Sequence, residues 1–278
     1  MEKADVMKEI SDSFGLLRAH YREVLFPLLV LLVLSGAGHF GFSGLRWTLD
    51  RPFGQLHPAL PENASPFANA MLDASSFLLL AGGALLALIL AYAAIAIVSA
   101  ILERAVWFYV FEHFHAVIRK KRPPADWQQR MKRHAVKSVV FMVFWAILAV
   151  AVFAVPALQA WDFLSSSGSF FSFFATFVIA IVVFLGLAFL LLPLWVFYAI
   201  DGHGLFESVS KSASLVGRNL VPFGIYAAVF FAIWILALAV SIGACCLSFI
   251  VAPVAFVFIQ LLSGVTLMKL KLVLETGG

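Results

Sequence analysis

Glu112 and His115 stand three residues apart in a stretch that reads as helix, so a carboxylate and an imidazole share one face and could both meet one metal ion. His113 points to another face. A helical metal site needs a second pair of ligands from another helix, and no matching acidic-histidine motif occurs elsewhere. Glu112, His113 and His115, with Glu103 and Arg104 before them, therefore read as solvated groups at the end of a long helix that snorkel and cap. Asp201 and His203, set between Gly202 and Gly204, make a polar turn. There Asp201 is placed to cap the helix starting near Leu205, its carboxylate accepting free N–H groups, while the glycines let the chain reverse. Cys245 and Cys246 are the two cysteines, adjacent and in apolar sequence, which suits small buried residues better than a zinc knuckle or a disulfide framework. No phosphate-cradling glycine loop, serine elbow or HExxH motif is present. No catalytic, cofactor-binding or metal-ligating residue is assigned on these grounds, no cofactor is expected, and the chain reads as a non-enzyme.

The elements that position these groups are greasy. Of 278 residues 63% are hydrophobic and 12% charged, and the mean hydropathy of +1.01 lies well above the soluble range. The charges collect in short stretches between apolar runs of about twenty residues, the length a helix needs to cross a bilayer. Leu, Ala, Val and Phe occupy every face of these runs, without the period-two alternation of a β-barrel. The fold expected is an all-α membrane protein of six transmembrane helices: Leu25 to Phe42, Phe77 to Leu102, Val139 to Leu158, Phe171 to Ile200, Val221 to Ile242 and Leu247 to Met268. The last two must form a tight hairpin. Met1 to Tyr21 is long and of mixed charge, unlike a cleaved signal peptide, so the first helix is expected to stay as an anchor.

In a six-span arrangement all but two of the 19 basic residues, Arg46 and Arg51, fall on one side. By the positive-inside rule both termini are then cytoplasmic and Ser43 to Ser76 is the sizeable outer loop, carrying Trp47 and Pro52, Pro58, Pro61 and Pro66. Asn63-Ala64-Ser65 matches a glycosylation sequon, a triplet that arises often by chance, and the short cytoplasm-facing loops suit a bacterial inner (plasma) membrane. Pro156, Pro193, Pro222 and Pro253 fall in or beside spans, where they kink helices and free carbonyls. Gly82, Gly83 and the alanines around them give the second span a face for close helix approach.

Three times an amphipathic stretch precedes two spans. Val6, Met7, Ile10, Phe14, Leu17 and Tyr21 recur at steps of three and four; so do Trp127, Met131, Ala135 and Val139; so do Leu205, Phe206, Val209, Ala213 and Val216. The expected architecture is thus three hairpins, each led by a cytoplasmic interfacial helix, in a single transmembrane domain over 1–278 divisible into repeats 1–118, 124–200 and 203–271. Glu9 to Leu17 (EISDSFGLL) and Glu207 to Val216 (ESVSKSASLV) carry a short likeness between copies.

Ala199 to Tyr226 reads AIDGHGLFESVSKSASLVGRNLVPFGIY, with Asp201 ending a span and Ser212, Leu215 and Asn219 forming S-x-x-L-x-x-x-N before the next. This segment resembles a group of bacterial six-span proteins that includes the membrane domain attached to some glycerophosphodiester phosphodiesterases. The resemblance covers about a tenth of the chain and implies a fold of interfacial helices and hairpins rather than a reaction, because the catalytic domain of that family is a separate soluble barrel with no counterpart here.

The strongest charge cluster is Arg119, Lys120, Lys121 and Arg122, continued by Arg130, Lys132 and Arg133. Beside a membrane these cations contact anionic headgroups, each worth about 1 kcal/mol near the surface. Nucleic acid is not the expected partner, since the cluster has few aromatic platforms. Partners expected are membrane lipids and a membrane protein or second copy. The functional expectation is a scaffold or accessory subunit organising lipid or a partner, with a carrier of a lipidic or small solute as the alternative.

Overall fold

In a computed structural model, which describes residues 5–50, 67–121, 126–164, 169–243 and 248–276, the chain is helical. The elements are α1 (Val6–Asp50), α2 (Phe67–Ile118), α3 (Trp127–Leu164), α4 (Phe170–Leu190), a π turn (Val196–Ile200), α5 (Leu205–Arg218), α6 (Leu220–Gly243) and α7 (Ser248–Thr276). Among the described residues five helices are long and apolar enough to cross a membrane: Leu86–Ile118, Trp127–Trp161, Phe170–Leu190, Leu220–Val240 and Pro253–Thr276. This makes the chain a multi-pass helical membrane protein. Within the expected first span, Leu25–Ala37 is an apolar helical stretch but shorter.

Several expected boundaries move, each for a local reason. The first two lead segments are not separate helices: α1 and α3 run from lead segment into span without a break, α1 passing through Pro27 near the junction. Only α5 stands apart, ended at Asn219, whose side-chain amide donates to the Leu215 carbonyl at 2.9 Å. The outer loop is shorter than Ser43 to Ser76, because α1 reaches Asp50 and α2 begins at Phe67. The fourth span stops at Leu190 rather than Ile200; Pro193 lacks the N–H needed to continue the ladder, and the chain passes into the π turn. Arg51, the prolines from Pro52 to Pro66, Asn63, Arg122, Cys245 and Cys246 lie outside the described residues.

The chain divides into two compact units, Leu32–Glu103 and the remainder, Met1–Leu31 with Arg104–Gly278. The boundaries cut through the first of the repeats expected. In the larger unit α3 packs on α4 and α6 on α7. Rings of the first pair interlock, Phe153 lying 6.1 Å from Phe177 and 5.7 Å from Phe184. Trp234 meets Phe256 edge-on at 5.4 Å across the second pair. Burial is uneven: 61% of the apolar stretch within Pro253–Thr276 is covered against 6% in Phe170–Leu190, so α7 runs through the core of this unit while α4 shows its Phe and Val side chains to the surroundings.

Which face is packed differs from the soluble pattern. In α1 the covered residues are Val6, Glu9, Ser13 and Leu17, while Met7, Phe14 and Tyr21 are at least half exposed. In α5 they are Ser208, Ser212 and Val216, and Phe206 is 86% exposed. In α3 they are His134, Ser138 and Phe141. Each lead segment thus turns a serine, 0% exposed in all three cases, toward the protein, while the exposed members of the apolar stripes are Met7, Phe14 and Tyr21 in α1, Val139 in α3 and Phe206 in α5. That is the arrangement expected where lipid is the solvent and small residues permit close helix approach.

Candidate charged cleft

The ends of α2 and α7 and the N-terminal parts of α1, α3 and α5 carry ionisable groups that pair, several of them across helices. Glu112 of α2 takes the Arg130 guanidinium and stands 2.9 Å from His134 Nε2, both on the first turns of α3. Glu23 of α1 meets His113 Nε2 at 2.8 Å and His20 Nδ1 at 2.9 Å. The hydrogen bond with His20, and to a lesser degree the one with His113, holds the Glu23 carboxyl below the usual carboxylate range. Lys269 of α7 reaches Glu9 and Asp12 at 3.3 and 3.4 Å.

The deepest of these pairs joins Lys271 to Asp201. Lys271 is 1% exposed; its ammonium bonds Asp201, lies 3.3 Å from Glu275 and sits 4.4 Å over the Phe197 ring. Asp201 is placed by the π turn. Proline at 193 breaks the α4 ladder, Asp201 N–H closes a wide turn on the Val196 carbonyl at 2.9 Å, and Gly202, at φ +79°, takes the left-handed conformation that reverses the chain. Two carbonyls of that turn, Tyr198 and Ala199, accept from the Lys137 ammonium of α3 at 3.1 and 2.9 Å. The Leu190 carbonyl, freed by the same break, accepts from Ser212 Oγ at 3.1 Å. Asp201 therefore does not cap α5. Gly204 holds the N-cap position without a side-chain bond, and the Asp201 carboxylate faces a cation on another helix, the stronger of the two attractions open to it.

His115 stands 3.6 Å from Asp201, too far for a hydrogen bond, and its Nε2 is buried without a hydrogen-bond partner among the described residues. Glu112 and His115 thus go to different neighbours and do not share a ligand. Among the described residues no three of His, Cys, Asp and Glu stand where they could hold a metal ion. His113, read from sequence as a solvated group, is instead mostly buried and paired. His203 and Lys211 both meet Glu207, at 3.2 and 2.8 Å, and the Lys211 bond holds the exposed Glu207 carboxyl below its ordinary value.

A cleft of about 550 Å³ opens beside these pairs, with Glu112, His115, Arg130, Asp201, His203 and Lys271 on its walls. Arg119 and Lys121 complete it. At the end of α2 the chain makes a Schellman turn: Lys121 N–H donates to the Ala116 carbonyl at 2.8 Å and Lys120 N–H to that of Val117 at 3.0 Å. Lys120 takes the left-handed position of that turn, at φ +54°, where glycine is usual. Of the expected headgroup cluster, Arg119, Lys121 and Arg130 line the cleft, Lys120 forms the turn, and Lys132 and Arg133 are exposed on α3.

A second cavity, about 450 Å³, lies among α2, α6 and α7 and is aromatic: Trp107, Phe111, Trp195, Phe230 and Trp234 line it, with Arg104 and Gln260 among its polar groups. Gly264 lets the Phe111 ring approach α7 so closely that a Cβ there would stand 2.2 Å from it. Trp107 and Trp195 pack on that ring at 5.3 and 4.5 Å.

Sequence reasoning missed Lys271, Lys137, His134 and Glu23. Lys271 and Glu23 left local traces, the i, i+4 spacing to Glu275 and the i, i+3 spacing to His20; the other partners of these residues lie 22 to 90 residues away along the chain. In comparisons with family models, curated proteins and solved structures, nothing matches this chain.

Proposed function

We propose that this chain is a non-enzymatic protein of a bacterial inner membrane, with six crossings and both termini in the cytoplasm, that serves as a scaffold or accessory subunit organising lipid or a membrane partner. One observation carries this reading: the carboxylates of the charged end are spent on cations and imidazoles of neighbouring helices, as clamps, while α4 and the lead segments turn apolar side chains outward. The apolar stretch Leu25–Ala37, within the longer helix α1, supports a sixth crossing, and the weight of lysine and arginine at the charged end supports a cytoplasmic side for it. The repeated buried serine supports a threefold arrangement of hairpins. Likeness of Ala199 to Tyr226 to a membrane domain without catalytic machinery of its own agrees with it.

The test is purification in mild detergent followed by native mass spectrometry. Retained lipid or a stoichiometric partner is the expected result; a bare monomer that takes up neither on return to lipid would overturn it. The alternative, a carrier of a lipidic or small solute, draws on the aromatic cavity among α2, α6 and α7. Uptake or flip-flop in proteoliposomes that stops when Gly264 is enlarged would favour the carrier over the scaffold.

A further inference from the structure

We propose that the charged cleft is a binding site for a phosphoryl anion, gripped chiefly by Arg119 and Lys121. The inference goes beyond the scaffold reading and does not rest on it, since a free phosphorylated solute would satisfy the site without any lipid being organised.

The argument begins with what the walls have left over. Three carboxylates line the cleft, and each is engaged: Glu112 by Arg130 and His134, Asp201 and Glu275 by Lys271. Four cations line it, and Arg119 and Lys121 have no carboxylate of the wall to answer them. Against three carboxylates the four cations of the wall leave one net positive charge, and it falls where Arg119 and Lys121 stand within one Schellman turn; the planar fork of arginine suits the oxygens of a phosphoryl group. Carbonyls at the end of α2 would ordinarily repel an anion. Here those of His115, Ala116 and Val117 already accept from Arg119, Lys121 and Lys120 N–H, at 3.1, 2.8 and 3.0 Å, so their charge is partly spent.

His115 belongs to the same wall, its Nε2 covered and without a hydrogen-bond partner among the described residues. At about 550 Å³ the space falls in the range of small-molecule sites and exceeds what a bare ion needs, so the ligand class is a phosphomonoester or a phosphate-bearing headgroup. The left-handed Lys120 is part of the device, because it turns the chain so that residue 121 returns to the α2 end beside residue 119.

The experiment uses the full chain, purified in detergent and, separately, placed in nanodiscs of phosphatidylcholine with or without phosphatidic acid. Thermal unfolding is followed by tryptophan fluorescence against inorganic phosphate, glycerol phosphate and acetate, at ionic strength matched with chloride. Arg119→Gln/Lys121→Gln, at exposed positions, is compared with wild type, and Lys132→Gln serves as a charge control outside the cleft. Stabilisation of the wild type by phosphate or glycerol phosphate, weakened about tenfold or more in apparent affinity by the double substitution and not by Lys132→Gln, supports the site and a soluble source. Stabilisation by phosphatidic acid alone, with the same dependence on Arg119 and Lys121, supports the site and a headgroup source. The proposal is overturned if neither phosphate form stabilises the wild type beyond chloride, if acetate does so equally, or if the double variant behaves as the wild type.

Discussion

Lys271 carries the largest electrostatic burden of any single residue described here. Its ammonium is covered, and its partners Asp201 and Glu275 come from the π turn and from its own helix. Removing the cation leaves a poorly hydrated carboxylate, and breaking such a pair costs about 3–5 kcal/mol. Lys271→Met is therefore expected to lower stability to denaturant by an amount of that order, and adding Asp201→Asn to recover part of it. A double-mutant cycle measures the coupling, and additive losses would show the two groups to be independent. Gly264 is a second residue-scale test. A methyl group there meets the Phe111 ring, which Trp107 and Trp195 hold in place, so Gly264→Ala is expected to cost about 1–3 kcal/mol by overpacking, read from the unfolding midpoint. Gly186, with nothing near its Cβ position, is the control that tolerates alanine.

At the scale of elements, the break after α4 organises the charged end. The carbonyls it frees are answered from α3 by Lys137 and from α5 by Ser212, and in a membrane an unanswered carbonyl is expensive. Lys137→Met is expected to loosen the π turn, giving faster amide exchange over Val196–Ile200 and a stability loss of about 2 kcal/mol; unchanged exchange would mean that the turn holds itself. The tie between α1 and α2 depends on pH. The Glu23 carboxyl is held below its ordinary value, chiefly by His20, so its contribution is present above the ordinary glutamate range and is lost as pH falls through the lower folded value. Amide exchange around Glu23 in α1 is expected to rise on acidification in the wild type and to lose that dependence in Glu23→Gln. Helix existence was legible from sequence because apolar runs and charge gaps are local. Asp201 and His203 were found as a polar turn, and Arg119, Lys121 and Arg130 as a charge cluster, yet the roles of Asp201 and Arg130 were not legible, because those roles are set by residues 18 to 70 positions distant. Ser13 and Ser138 were passed over as packed positions, because the stripes that periodicity picks out are split between the packed face, with Val6, Leu17 and Val216, and the outward face, with Met7, Phe14 and Phe206.

For the whole molecule, the proposed orientation makes the charged end a cytoplasmic platform, and the exposed Val, Leu, Ile and Phe of the spans face lipid. The sixth crossing and the orientation rest on charge distribution, and an odd number of crossings would place α1 and α7 starts and ends on opposite faces. The most direct measurement is a set of reporter fusions in a bacterial host, with a fluorescent protein or alkaline phosphatase joined before Asp5, after Thr276, and within residues 51–66. The account predicts fluorescence without phosphatase activity at both termini and phosphatase activity without fluorescence at 51–66. Termini reporting from opposite faces, or a chain recovered in the soluble fraction, would contradict it.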